Sequence, residues 1–185
     1  MMLRYTLLTV LCLLALLAPP AWGQPTQVLL IRHAERAAEP PGDPALTAAG
    51  QLRAQALVEA LRDAGVTAII TTEFRRSAET AAALAQQLKL SPQVIAARGG
   101  DTASHVAAVA AAIRSQRGVV LVVGHSNTVP AIAAALGAPR LPDFCESSFS
   151  HLWVLTPQAE LAPHLLRLRY GLPDEAPAGA AAPCQ

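Results

Sequence analysis

The 185-residue chain is poor in several residue types that usually announce a function. It has three cysteines and no Cys-x-x-Cys pair, so neither a zinc knuckle nor a thioredoxin-type redox site is supported. Its histidines are not spaced as a His-Glu-x-x-His zinc motif. Neither sign of charge is in excess, with 14 basic against 13 acidic residues. That balance argues against broad electrostatic capture of nucleic acid, and any anion site must be a local cluster. Aromatic residues make up 4% of the chain. Phe149 and Trp153 read as core positions on an edge strand, not as a stacking platform. No apolar run has the length of a membrane span. The longest, Leu7 to Ala18, has 12 residues and is closed by Pro19 and Pro20, whereas a spanning helix needs about 20.

What is present begins with that same run. One arginine, a leucine-rich stretch and the small residues Ala21 and Gly23 have the layout of a cleavable secretory signal over residues 1–23. The expectation is an exported chain, periplasmic or secreted, with no stable membrane anchor. Cleavage removes Arg4 and no acid, leaving basic and acidic residues in balance. Every basic residue except Lys89 is then an arginine, the better planar clamp for phosphate. Cys145 and Cys184 remain, which permits one disulfide in an oxidising compartment.

From Gln24 the chain alternates short apolar runs with Ala/Leu-rich amphipathic stretches. "QVLLIR", "VTAIITT", "PQVIAA" and "GVVLVVGH" read as strands. The helices between them are "LTAAGQLRAQALVEALRDAG", with Thr47 as its N-cap and Gly65 past its end, then "RRSAETAAALAQQLKL" and "TASHVAAVAAAIRSQ". "TVPAIAAALG" is a further helix, and "SFSHLWVLT" and "HLLRLRY" are late strands toward an edge. This order predicts an α/β fold, a three-layer αβα sandwich on a mostly parallel central sheet. The domain is expected over residues 24–171, followed by a Pro/Ala-rich flexible tail over 172–185.

In such sheets ligands collect beyond the carboxyl ends of the strands. That rule selects Arg32-His33 after "VLLI", the segment from Thr71 to Arg76 after "TAII", and Gly124-His125-Ser126-Asn127 after "VLVV". Each segment alone has a plain structural reading: a surface charge, an exposed helix start with Arg75 or Arg76 paired to Glu79, a tight turn capped by Ser126 or Asn127. Together they put two histidines and at least two arginines around one crevice. Arginines grip phosphate oxygens with paired N–H donors. A neutral imidazole, of ordinary pKa about 6.5, is a competent nucleophile near neutral pH. A second histidine adds a donor where charge develops.

These segments resemble the motifs of the histidine phosphatase superfamily, with its phosphoglycerate-mutase-like fold. Arg32-His33-Ala34-Glu35 is similar to its Arg-His-Gly motif, with Ala34 in place of the glycine. "LTAAG" is similar to its Leu-Thr-x-x-Gly helix start. "TTEFRRSAETA" is similar to its Ser-x-Leu-x-Arg-Ala-x-x-Thr-Ala pattern and puts the arginine at Arg76. "VVLVVGHSN" is similar to the strand carrying the second histidine. The resemblance implies a phosphohistidine formed on His33, with Arg32, Arg76 and His125 holding the phosphoryl group, Glu35 and Asn127 as further substrate contacts, and no metal or cofactor. The expected partner is a small phosphorylated substrate, with no nucleic acid; a periplasmic phosphosugar fits an exported chain. The oligomeric state is left open.

The proton donor for the leaving group is where the sequence departs from the pattern. Many members supply a glutamate from a long insertion after the second helix, and here "VIAARGGDTASH" is short. Asp101 is the first candidate, although it equally suits an N-cap for the helix starting near Thr102. Glu35 is the second. Ser126 stands where the acid-phosphatase branch has an aspartate, which disfavours phytase-like activity. The alternative function is a catalytically weak phosphate- or phosphosugar-binding protein on the same fold. His105, His151 and His164 read as structural or exposed.

Overall fold

A computed structural model of the chain describes residues 24–99 and 101–174. In chain order its elements are β1 (Pro25–Arg32), α1 (Ala48–Ala60), β2 (Val66–Thr71), α2 (Arg75–Leu88), β3 (Gln93–Val94), α3 (Thr102–Arg114), β4 (Gly118–Gly124), α4 (Thr128–Ala135), β5 (His151–Gln158) and β6 (Leu161–Arg169). The six strands form one sheet in the order β3-β2-β4-β1-β5-β6. β1, β2, β3 and β4 run parallel, while β5 pairs antiparallel with β1 and β6 antiparallel with β5.

The apolar runs of the sequence become strands buried on both faces, as expected for the middle of a covered parallel sheet. Side chains alternate along β1. Val28 and Leu30 join one core with Val106, Ile113 and Ile132 from α3 and α4. Leu29 and Ile31 join the other with Leu57 and Leu84 from α1 and α2. Leu30, Leu57, Leu84 and Ile113 are completely buried, each contributing roughly 1.5–3 kcal/mol. This is the expected αβα sandwich. No helix among the described residues is long and apolar enough to cross a membrane.

The α1 N-terminus shows how a short motif sets a packing distance. Thr47 caps the helix, its hydroxyl accepting the Gly50 N–H at 3.1 Å, while its own N–H donates to the Glu35 carbonyl at 2.9 Å. Gly50 faces that same carbonyl, and a Cβ there would collide with it. The glycine of "LTAAG" therefore lets α1 lie directly on the chain as it leaves β1.

Two expectations differ from what is found. "PQVIAA" yields a strand of two residues only. It lies at the sheet edge, pairing with Ile70 and Thr71. Beyond it the N–H groups of Ala97 and Arg98 donate to the Glu73 carboxylate at 2.8 and 2.7 Å, which turns the chain off the sheet. The tail expected from residue 172 is docked at its start. Arg53 donates to the Leu172 carbonyl at 3.0 Å. Asp174 accepts from the Phe149 and Ser150 N–H groups at 2.8 and 2.9 Å and from the Ser150 hydroxyl at 2.7 Å. The expected signal segment, the rest of the tail and Cys184 lie outside the described residues. Cys145 is disulfide-bonded.

Candidate active site

β1 and β4 end side by side, Arg32 opposite Gly124. The ladder continues one step further, the His33 N–H donating to the Gly124 carbonyl at 2.9 Å. The next residue of the β4 chain is His125. Two adjacent parallel strands thus deliver both histidines to one place, their rings edge to face with centroids 5.3 Å apart.

The His33 ring is held by its own backbone neighbourhood. Nδ1 lies 2.8 Å from the Ala34 carbonyl. A carbonyl only accepts, so Nδ1 carries the proton and Nε2 keeps its lone pair. Ala34 is anchored in turn, its N–H donating to the Thr80 hydroxyl at 2.9 Å, which itself donates to the Arg76 carbonyl at 2.6 Å. Thr80 is fully buried. It ties the turn carrying His33 to the first turn of α2, which carries Arg76.

Arg76 and Arg75 have opposite fates. Arg75 is exposed and pairs with Glu79 at 3.1 Å. The Arg76 guanidinium is half-buried, lies 4.1 Å over the Phe74 ring, and has a buried Nε without a partner among the described residues. Burial lowers its pKa, and neighbouring positive charge from Arg36, Arg32 and Arg98 adds to the effect. It is a preorganised cation with no ion pair among the described residues, the Asp43 carboxylate opposing the shift only from a longer range.

Arg32 is only 2% exposed. Its Nη1 donates to the carbonyls of Cys145, Glu146 and Ser148 at 2.7, 2.9 and 3.1 Å. Nη2 pairs with the Glu146 carboxylate at 2.7 Å, Nε has no partner among the described residues, and the guanidinium lies 4.3 Å from the centre of the Phe149 ring. Glu146 also accepts from the Ser126 hydroxyl at 2.7 Å. His125 Nε2 lies 3.2 Å from the Thr72 hydroxyl, which donates to Ser77, and its ring stands edge-on to Phe74.

Both histidines are neutral in this setting. Burial pushes His33 down to about 3, and His125, Arg32 and Arg76 add to the shift. Burial pushes His125 down to about 4, with Arg76, His105 and Arg32 acting in the same sense. The arrangement can present an uncharged imidazole lone pair to an electron-poor centre whose oxygens face cations. Among the described residues no group of three His, Cys, Asp or Glu side chains could hold a metal ion.

Of the residues expected from sequence, Arg32, His33, Arg76 and His125 come together. Asp101 is the N-cap of α3, its carboxylate accepting from the Ser104 N–H and hydroxyl, both at 2.8 Å. Those bonds hold its pKa low, which works against proton donation at neutral pH. The Glu35 carboxylate is taken by Arg53 at 2.7–3.0 Å. Asn127 is exposed and makes no side-chain capping bond. The turn is closed instead by Thr128, whose hydroxyl accepts the His125 N–H at 2.9 Å. Glu146 carried no motif and was not singled out from sequence. Nor were Arg36 and Arg98, whose charges act on Arg76.

Residues 28–98 match the family described as the histidine phosphatase superfamily, branch 1. No curated protein matches the sequence significantly. Among solved structures, the chain is similar to the protein histidine phosphatase SixA complexed with tungstate, at 18% identity and TM-score 0.59, covering 77% of this chain and 96% of that one. It is similar to a Nakamurella multipartitia protein assigned as phosphohistidine phosphatase SixA, at 26% identity and TM-score 0.54, covering 78% and 95%. A third similar structure is mycobacterial glucosyl-3-phosphoglycerate phosphatase, at 17% identity and TM-score 0.57, covering 78% and 98%.

The depressed histidines give acid lability a definite window. The unfolded chain protonates them near pH 6.5, whereas the folded pKa values are about 3 for His33 and about 4 for His125. Between these limits the unfolded state binds more protons, so stability is fully present above the unfolded pKa and falls as pH drops below it. The double variant His33→Gln/His125→Gln should show a shallower loss of stability between about pH 6.5 and pH 4 than the parent. Urea titrations across that range measure the two slopes. Parallel profiles would show that the rings titrate normally in the folded protein.

Proposed function

We propose, for a chain that belongs to the histidine phosphatase superfamily, that it hydrolyses small phosphorylated substrates through a phosphohistidine on His33. The observation that carries this reading is the pairing of the His33 Nε2 lone pair, its tautomer fixed by the Ala34 carbonyl, with a half-buried Arg76 guanidinium whose Nε has no hydrogen-bond partner among the described residues.

Nε2 of His33 attacks phosphorus, the bond to the leaving atom breaks with its electron pair, and the leaving group takes up a proton from water. Water then attacks the phosphohistidine, releasing inorganic phosphate and restoring neutral His33. Arg76 and Arg32 stabilise the equatorial oxygens, which carry most of the charge in phosphoryl transfer. The ring of His125 adds a polar contact. Thr80 and the His33 N–H bond to Gly124 keep the nucleophile in place, where a misplacement of about 1 Å can cost on the order of a hundredfold.

The carboxylates around the centre have partners: Glu35 has Arg53, Glu146 has Arg32 and Ser126, Glu73 has the Ala97 and Arg98 N–H groups, Asp43 has the Arg75 N–H, and Asp101 has Ser104. The site therefore favours leaving groups that need little protonation, such as the imidazole of phosphohistidine or an activated phenol. The same engagement supports the second reading, a phosphate- or phosphosugar-binding protein with weak turnover. Turnover of p-nitrophenyl phosphate separates the two, because that leaving group needs no acid. Export, resting on the apolar segment before Pro19, belongs to the same proposal.

His33→Ala should abolish turnover, and acid-quenched wild type alone should carry acid-labile phosphate. Arg76→Ala should slow turnover about a hundred- to a thousandfold, the size of losing one preorganised donor. Arg75→Ala, which loses only the exposed Glu79 pair, should do little. Activity surviving in His33→Ala would remove the nucleophile assignment.

Glu146 gives a further expectation. Its carboxylate holds the Arg32 Nη2 that an oxyanion would use, and its side chain is 77% exposed. A pair of that kind contributes about 0.2–1 kcal/mol. Glu146→Gln should therefore tighten vanadate inhibition by up to about fivefold. Unchanged or weaker inhibition would show that Arg32 keeps Glu146 while the anion is bound.

A further inference from the structure

A second cleft lies between the loop that follows α4 and the outer β5–β6 hairpin. It has a volume of about 400 Å³, within the range of about 300–1,000 Å³ typical of small-molecule sites. Its walls are Leu141 and Pro142 on the loop and Arg167 and Arg169 on β6, above Phe144, His151 and Trp153. Arg32, His33, Arg76 and His125 are not among its lining residues.

The strand register explains the grouping. His151 pairs with Arg169 and Trp153 with Arg167 across β5 and β6. Alternate residues of a strand share a face, so all four side chains stand on one side of the sheet. Below them the rings are locked. Phe144 stacks on His151 with centroids 4.1 Å apart, and meets Trp153 edge-on at 4.8 Å.

The polar chemistry of this cleft is mainly that of donors. Trp153 is 3% exposed and His151 6% exposed, and the indole Nε1 and the imidazole Nε2 are buried without a hydrogen-bond partner among the described residues. Burying an N–H without a partner costs about 1–3 kcal/mol, and native interiors seldom leave one so. An indole N–H and a guanidinium can only donate. Arg169 is held in place by the Ser150 hydroxyl at 2.9 Å and Asp174 at 3.1 Å. Arg167 makes no ion pair or hydrogen bond among the described residues. No carboxylate or hydroxyl lines the cleft. The group that completes it must bring acceptors and negative charge, and the Leu141–Pro142 wall suits an apolar body behind that charge.

We propose that this cleft is a second binding site, separate from the phosphoryl centre, for a small organic anion with an apolar body. Its charged group lies against Arg167 and Arg169 and its body against Leu141 and Pro142. The Trp153 indole N–H faces the acceptors the ligand provides.

The test is a titration of the ¹⁵N-labelled full-length chain with benzoate, an anion with no phosphoryl group. The readout is the Trp153 indole cross-peak, distinguished from that of Trp22 by the Trp153→Phe variant. Benzoate should move that peak saturably, and neutral benzyl alcohol should not. Saturating vanadate at the phosphoryl centre should leave the titration unchanged. Arg167→Ala should weaken benzoate binding about tenfold, the size of losing one charged hydrogen-bond donor; Arg167 is exposed, so the variant should fold. Absence of a saturable shift, an equal response to benzyl alcohol, or an unaltered affinity in Arg167→Ala would each overturn the proposal. Loss of the benzoate response under vanadate would overturn it too, by assigning the anion to the phosphoryl centre.

Discussion

A guanidinium taken out of water at the end of the central strand is the constraint on which the rest of this site depends. Arg32 is almost fully enclosed, and a buried cation is tolerated only where donors meet acceptors and some charge is balanced. Three carbonyls and one carboxylate from the 145–148 segment meet that need. That segment is placed by β5, which pairs antiparallel with β1 and begins just after it, and by the Phe144 N–H bond to the Ser126 carbonyl at 3.0 Å. The histidine-bearing turn after β4 and the loop before β5 are thereby fixed together. The family match, over residues 28–98, covers the first half of this arrangement; the second half is supplied by the sheet.

Several residues of the recognisable motifs are joints between elements. Thr80 couples Ala34 to Arg76 through one hydroxyl that accepts on one side and donates on the other. Gly50 lets α1 approach the Glu35 backbone. Glu79 accepts the Leu46 N–H at 2.7 Å while pairing with Arg75, which pins the excursion between β1 and α1. These joints hold His33, Arg32, Arg76 and His125 to a common frame.

The electrostatics of the centre is one of excess positive charge beside neutral imidazoles. Arg36 and Arg98 add to the field of Arg32 and Arg76, and that field together with burial keeps both rings unprotonated. A multiply charged anion entering such a place finds donors already oriented, without the reorganisation that water would need. Glu35, Glu73 and Glu146 are held by Arg53, by backbone N–H groups and by Arg32, so they leave that positive field largely uncompensated.

The amino-acid sequence by itself determined the elements and the edge of the sheet at which they converge. Period and turn chemistry are local, so "VLLIRH", "LTAAG" and "VLVVGH" read correctly without any knowledge of their neighbours, and the register of "FRRSAET" could be taken at Arg76. Asp101 was legible both as an acid and as a cap, because an aspartate before a helix suits either; only the position of Ser104 decided between them. Glu35 likewise looked available until Arg53, 18 residues on, was seen to hold it. Glu146 and the docking of Asp174 could not be read at all. Both act across long loops, through a side chain meeting backbone groups or an arginine far away in sequence, and such contacts leave no periodicity or spacing to recognise. The chain set which residues reach the crevice, and the tertiary structure decided which carboxylates would be free there, because that depends on which cation each one meets after the strands have paired.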